Sequence, residues 1–385
     1  MKRALLALTV FASACGPLTP QRDGGTGGGG GNPFFGGGIG GGTGAGTTGG
    51  ANGGGGGATG GGATGGGTTG GGGTATGGGG GLAPLTWAAM GLSGATSTSY
   101  IIGLSGSTND LWAIQDTGHL FHSTGGVFTW QFAFQYGAKD LYASGGTVVM
   151  IQTRSIRTCT SGCTQEADFQ TLDLLNSGMN WNLFGEALCG RGPNQITAVV
   201  SDTQDRGQLF EWNGSMWTRT NSNLPIDSPR ACWFDSNGGL YIAGEDAMVF
   251  YDQGAATAVP LSNNFTIYYG GAFVEGSTYV VGPSDYVARG TGSSIARISM
   301  PGAGQLFHAV GGLRGDEVFA VGYYTSTNGV GNGLLWNGTQ FRPLGDKFPG
   351  FGSGSTGRVV HVTTPNEIFI AGGDGAGPLI ARGRR

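Results

Sequence analysis

The chain has 385 residues, 85 of them glycine, with a formal net charge of −4 and only 11% charged side chains. It carries no cluster of Lys and Arg suited to neutralising phosphates, so nucleic acid is not an expected partner. Glycine is concentrated in one stretch, and the chain divides there.

The first element is MKRALLALTVFASACGP. Lys2 and Arg3 precede an apolar run from Ala4 to Ala12, and small residues precede Cys15, which is the layout of an export signal. That run is too short to span a bilayer and remain there. The triplet Ala12-Ser13-Ala14 before Cys15 resembles the box of bacterial lipoproteins, with Ala12 where that family usually has Leu. The resemblance implies a signal peptide over 1–14, a lipid on Cys15 and membrane attachment through it. Because Gly16 rather than Asp follows the cysteine, it also implies sorting to an outer membrane. Ordinary cleavage that discards Cys15 is the other reading these residues allow.

Residues 15–83 are expected to form a tether. From Asp23 to Gly81 the composition is mostly Gly with Thr, Ala and Asn, too poor in apolar surface to offset the entropy of ordering it. A glycine-rich coil of this length has an r.m.s. span of about 45 Å. Its GxGxxG matches follow no strand and open no helix, so they carry no phosphate-binding weight.

The region 84–385 is repetitive. An apolar, often aromatic column recurs as NDLWAIQ at 109, KDLYASG at 139, NQITAVV at 194, GGLYIAG at 238, GSTYVVG at 276, DEVFAVG at 316 and NEIFIAG at 366. Short β-prone stretches precede and follow each column, and no segment between them keeps a helical period. The turns include EWNGSMW and LWNGTQF. Their Asn213-Gly214 and Asn337-Gly338 suit a two-residue type I′ hairpin, with Trp212, Trp217, Trp336 and Phe341 packing across the strands. Seven units of about four strands predict an all-β fold, a seven-bladed β-propeller. The last unit lacks a fourth strand after PLIARGRR, and LAPLTWAAMG at 82–91 is expected to supply it and close the ring. The second unit is long enough to hold an insertion, which leaves six or eight blades as alternatives. The region resembles bacterial propellers with degenerate Asp-box or kelch-like repeats. STGGVFTW at 123–130 keeps Ser123, Thr129 and Trp130 of the Ser-x-Asp-x-Gly-x-Thr-Trp pattern, with Gly125 and Val127 at its Asp and Gly.

Setting Cys15 aside leaves four cysteines, an even number in a compartment that tolerates disulfides. Cys159 with Cys163, which flank a TSG turn, and Cys189 with Cys232, which occupy corresponding parts of successive units, are the favoured pairs. His119 and His122 would point to opposite faces of a strand, and neither a metal nor a cofactor is expected. Aligning the seven columns without gaps, eleven residues before the aromatic position, gives Ile101, Gln131, Glu186, Arg230, Tyr268, His308 and Arg358. Six of these are polar or aromatic, and they are expected near one mouth of the central channel as a ligand-binding ring or a merely solvated rim. His361 is a further channel candidate. Glu186 alone in the ring is acidic, whereas a glycosidase needs two carboxylates. Asp202 and Asp205 are expected in a solvated loop, and DSNGG at 235–239, which resembles part of a calcium loop, is explained by an Asx turn. The expected function is therefore non-catalytic binding of an envelope protein or surface polysaccharide. A carbohydrate-active hydrolase or lyase working at the channel mouth is the competing class.

Overall fold

The structure, a computed structural model, describes residues 83–96, 98–175, 182–221, 223–245, 247–261, 268–283, 285–298, 305–324, 333–344, 348–351 and 354–385. The expected signal peptide, Cys15 and nearly all of the expected tether lie outside them.

These residues form seven antiparallel blades, each a meander of four strands, arranged in a ring. The innermost strands run Ile101–Ser107, Ala138–Ser144, Phe184–Gly192, Asp227–Phe234, Gly270–Val274, Gln305–Arg314 and Thr356–Thr364. Each contacts the next, and the seventh contacts the first, so the ring is closed. Among the described residues the helical content is one 3-10 turn, Glu166–Asp168.

Burial follows radial position. The second strand of blade two, TVVMIQ, is buried throughout because neighbouring blades cover both its faces. The fourth strand of blade four, AATAV, is mostly exposed. Inner strands therefore read as continuous apolar runs, and strand order cannot be told from composition. Close packing between blades needs small residues. A Cβ at Gly103 would lie 2.7 Å from the Leu141 side chain, and one at Gly270 would lie 2.6 Å from the His308 carbonyl.

Ring closure follows the expected route. Thr86–Ala89 pairs antiparallel with Gly377–Arg384, Thr86 opposite Arg384, and completes blade seven. Trp87 sets its ring edge-on to Phe348, 4.7 Å away, and to Phe319 in blade six, 5.8 Å away. Arg385 bonds Glu317 of blade six and donates from Nε to the Ala83 carbonyl at 2.7 Å. Its backbone N–H donates to Asn366, in the turn between the first two strands of blade seven. The chain thus enters the domain on the side where the first turn of each blade lies, away from the end where the innermost strands begin.

Both disulfides form as favoured, Cys159 with Cys163 inside blade two and Cys189 with Cys232 between the innermost strands of blades three and four. The Asn-Gly turns differ from expectation. Trp212 faces Trp217 and Trp336 faces Phe341, with four residues between each pair instead of two. Only the glycines, Gly214 and Gly338, have positive φ. The asparagine side chain explains this: Asn213 Oδ1 accepts from the backbone N–H groups of Ser215 and Met216, and Asn337 Oδ1 from those of Thr339 and Gln340. The aromatic pairs do pack, with centroids 5.7 and 5.2 Å apart. Two-residue turns with positive φ at both positions occur instead at Gln253-Gly254 and Glu275-Gly276.

KDLYASG also moves. It lies on the innermost strand of blade two, and TVVMIQ is the second strand. The extra length of that unit lies partly in the connection from Cys159 to Gln170, which holds the short disulfide and the 3-10 turn. Blade one gains a fifth, two-residue strand, Leu92–Ser93, parallel to Phe128–Ala133.

Candidate functional site

Every innermost strand departs from regular pairing near its start. An extra residue is bulged out at Ile102, Lys139, Glu186, Arg230, His308 and Arg358 in blades one, two, three, four, six and seven. In blade five the N–H of Tyr269 and the whole of Gly270 both face Val281, which puts Tyr269 in the same place. A bulge interrupts the strand's alternation and re-aims one side chain, so seven bulges at one level create a ring of seven such residues at one mouth of the channel.

Six of these residues form a continuous arc. Glu186 accepts from Ser201 Oγ at 2.9 Å and lies 3.9 Å from the Arg230 guanidinium, which in turn bonds Glu245 at 2.7 Å. Burial pushes the Glu186 carboxyl above the usual carboxylate range, against the pull of Lys139, Ser201 and Arg230. Burial likewise raises the Tyr269 phenol, with Arg230 opposing it. The rings of Tyr269 and His308 are 5.4 Å apart. Burial, helped by the charge of Arg358, lowers His308 to about 3, so it stays a neutral imidazole. Arg358 stacks over Tyr100 at 4.7 Å, and burial lowers its own pKa. Asp116, raised by burial, accepts from the Tyr100 N–H and feels the charge of Arg358. Beside the Glu186–Arg230 pair the backbone is strained: Asp205 and Ser228 have φ of 61° and 42°, and the Ser228 N–H donates to the Asp205 carbonyl at 2.7 Å.

Glu186, Arg230, His308 and Arg358 therefore come together as the sequence predicts, and three other predictions need correction. Gln131 lies on the fourth strand of blade one, where its amide donates to Thr129, and Lys139 holds the blade-two position. Tyr268 is 1% exposed and packs against Tyr286, while Tyr269 reaches the mouth. Ile101 is core, and Ile102 is the bulged residue. The ungapped alignment failed because blades three, six and seven carry a second bulge near the strand's end. Blade four has a longer first turn, Asp235 to Gly239. Blades one and five lack the extra residue, so the bulge lies ten residues before the second-strand column rather than eleven, and in blade two the column used, KDLYASG, is on the innermost strand itself, so the count fell back onto Gln131 of blade one.

Other candidates have structural roles. His361 donates from Nε2 to the Gly106 carbonyl at 2.9 Å and ties blade seven to blade one. Asp202 is fully buried rather than solvated. Burial would raise its pKa, but Arg206 and the backbone N–H groups of Gln204 and Arg206 outweigh that and hold it low. Asp235 caps its own turn through the N–H groups of Asn237 and Gly239. His122 bonds Asp110 at 2.9 Å and stacks on Trp112. Among the described residues no group of three or more His, Cys, Asp or Glu is placed to hold a metal ion.

The mouth offers paired charges, a neutral imidazole and tyrosine rings, a set suited to holding a polar partner. Glu245 and Asp116, missed in the sequence because they lie on second strands and turns, add two carboxylates beside the ring. No protein-family model and no curated protein matches the chain. Solved structures do match. YCF48 bound to D1 peptide aligns at TM-score 0.57 and 13% identity, over 78% of this chain and 97% of that one. YCF48 from Cyanidioschyzon merolae aligns at 0.58 and 14%, over 77% and 98%. The WD40 β-propeller domain of Doa1 aligns at 0.59 and 10%, over 78% and 96%. At such identities the likeness is one of fold, and the fold is the β-propeller.

Proposed function

We propose that this chain is a non-catalytic binding or scaffolding protein, held at an outer membrane through a lipid on Cys15, which engages an envelope protein or surface polysaccharide at the bulge-ring mouth. The observation that carries this reading is the unbroken arc from Lys139 to Arg358, in which six successive innermost strands each present one residue re-aimed at the same level. Bulges re-aim side chains and gather at functional rims, so their coincidence at one level supports a recognition surface at this mouth. The chain enters the domain on the side opposite the mouth, at Ala83. A propeller of the same fold has been solved with a peptide, which fits a binding role.

The test uses the full-length chain, cross-linked in the envelope and captured with its partners, beside an Arg230→Gln/Arg358→Gln variant. The expected result is a partner held by the native chain and at least about tenfold depleted with the variant. Equal recovery refutes the mouth as the site. Cys15→Ala is expected to move the protein out of the membrane fraction.

One observation favours the catalytic alternative: Glu186 is a carboxyl raised by burial, as a general acid would need. On that reading Glu186→Gln abolishes any turnover of an envelope glycan, while on ours there is no turnover to lose.

A further inference from the structure

A second cleft, about 560 Å³ in volume, opens between blades three and four on the side of the ring away from the mouth. It lies within the size range of small-ligand sites. Its charged groups differ from those at the mouth in one respect. Arg191, Glu211 and Asp252 line it, yet none of their side chains makes a hydrogen bond or ion pair to a described residue. Packing rather than charge positions Arg191: its guanidinium lies 6.0 Å over the Phe234 ring and so close to Gly238 that a Cβ there would meet it at 2.2 Å. Trp212 and Tyr251 complete an aromatic wall.

The molecule contains its own control. Blades six and seven enclose the corresponding space, of about 600 Å³. In blade three the cross-strand pair facing the cleft is Thr197 with Glu211; in blade six it is Phe319 with Leu335. There Arg314 is paired with Asp316 and Arg385 with Glu317, and Leu85 and Trp87 line the space. One groove is apolar with its charges paired off. Its twin is polar, with charged side chains that no described residue pairs.

We infer that the blade three–four cleft is a binding site for a neutral oligosaccharide. Sugar hydroxyls both donate and accept, so they suit a guanidinium set among carboxylates and threonine, and the C–H face of a pyranose suits the aromatic wall. Glu211 and Asp252 disfavour a polyanion. The site is independent of the mouth and of the partner proposed there.

The full-length protein is titrated calorimetrically with maltotetraose, cellotetraose and chitotetraose, and with tetragalacturonate as the anionic comparison. The expected result is binding of at least one neutral probe with a Kd of about 1 mM or tighter. Arg191→Ala, and separately Thr197→Phe/Glu211→Leu, which installs the blade-six pair, are each expected to weaken it about tenfold or more, while Arg314→Gln in the blade six–seven groove leaves it unchanged. Arg191 and Glu211 are exposed, so their replacement does not threaten the fold. Failure of all three neutral probes, preference for tetragalacturonate, or binding that survives Arg191→Ala overturns the proposal.

Discussion

Acid is expected to loosen this propeller through one side chain. His308 is 5% exposed, and burial, with Arg358 beside it, lowers its pKa to about 3. In an unfolded chain a histidine titrates near 6.5. Below that value the unfolded chain takes up a proton that the folded state refuses until about pH 3, so stability falls as the pH falls across this window. At about 1.4 kcal/mol per pH unit, the cost is about 2 kcal/mol at pH 5 and about 3 kcal/mol at pH 4. His308→Gln removes the titration while retaining a polar group next to Tyr269. Denaturant unfolding of both chains at pH 7.5 and 5.0 should show the variant losing about 2 kcal/mol less than the native protein across the interval. Contributions from the remaining histidines and carboxylates cancel in that difference. Equal losses in the two chains, or a His308 imidazole that titrates near pH 6 by NMR, would refute the reasoning.

Three further outcomes are expected. Because burial raises the Glu186 carboxyl, its charged form is the costly one, and stability is lost as the pH rises from the unfolded value near 4.3. Glu186→Gln should therefore leave stability at pH 7 unchanged or higher, with the gap closing toward pH 4; a loss above about 1 kcal/mol at pH 7 argues against it. Loop closure predicts that replacing Cys189 and Cys232, 43 residues apart, with serine costs about 4 kcal/mol, against about 2 kcal/mol for Cys159 and Cys163, 4 residues apart. Unfolding curves of the two double variants should rank in that order. Trp87→Ala should cost about 3 kcal/mol, because it removes the ring that the closing strand sets against Phe319 and Phe348. A shift below about 1 kcal/mol would mean that the ring stays closed without it.

The blades were legible because one feature recurs: the second strand of each is covered on both faces and so keeps an apolar run at a nearly regular spacing. Closure was legible from a deficit, PLIARGRR ending without the fourth strand that LAPLTWAAMG could supply. The Cys189–Cys232 disulfide followed from position within the repeat, and Cys159–Cys163 from the short turn the two flank. What misled was also physical. The innermost strand is covered as fully as the second, so KDLYASG reads like either. A bulge adds one residue without changing composition, and one residue is the difference between Tyr268 in the core and Tyr269 at the mouth. Asn213 shows the same limit at a turn, since its side-chain cap does what a positive φ would otherwise have done.

The closing strand has a mechanical consequence. Among the described residues the chain enters the domain at Ala83 and first pairs with it through Thr86–Ala89, the strand that completes blade seven. Tension on that chain therefore enters at the seam of the ring, first at the grip of Arg385 on Ala83 and Glu317, then at the Thr86–Arg384 pairing, and only afterwards reaches the strands within the blades. If the seam yields, Trp87 leaves its aromatic seat and blade seven is reduced to three strands. Pulled from its N-terminus, this propeller should open at its fastening before any blade unravels.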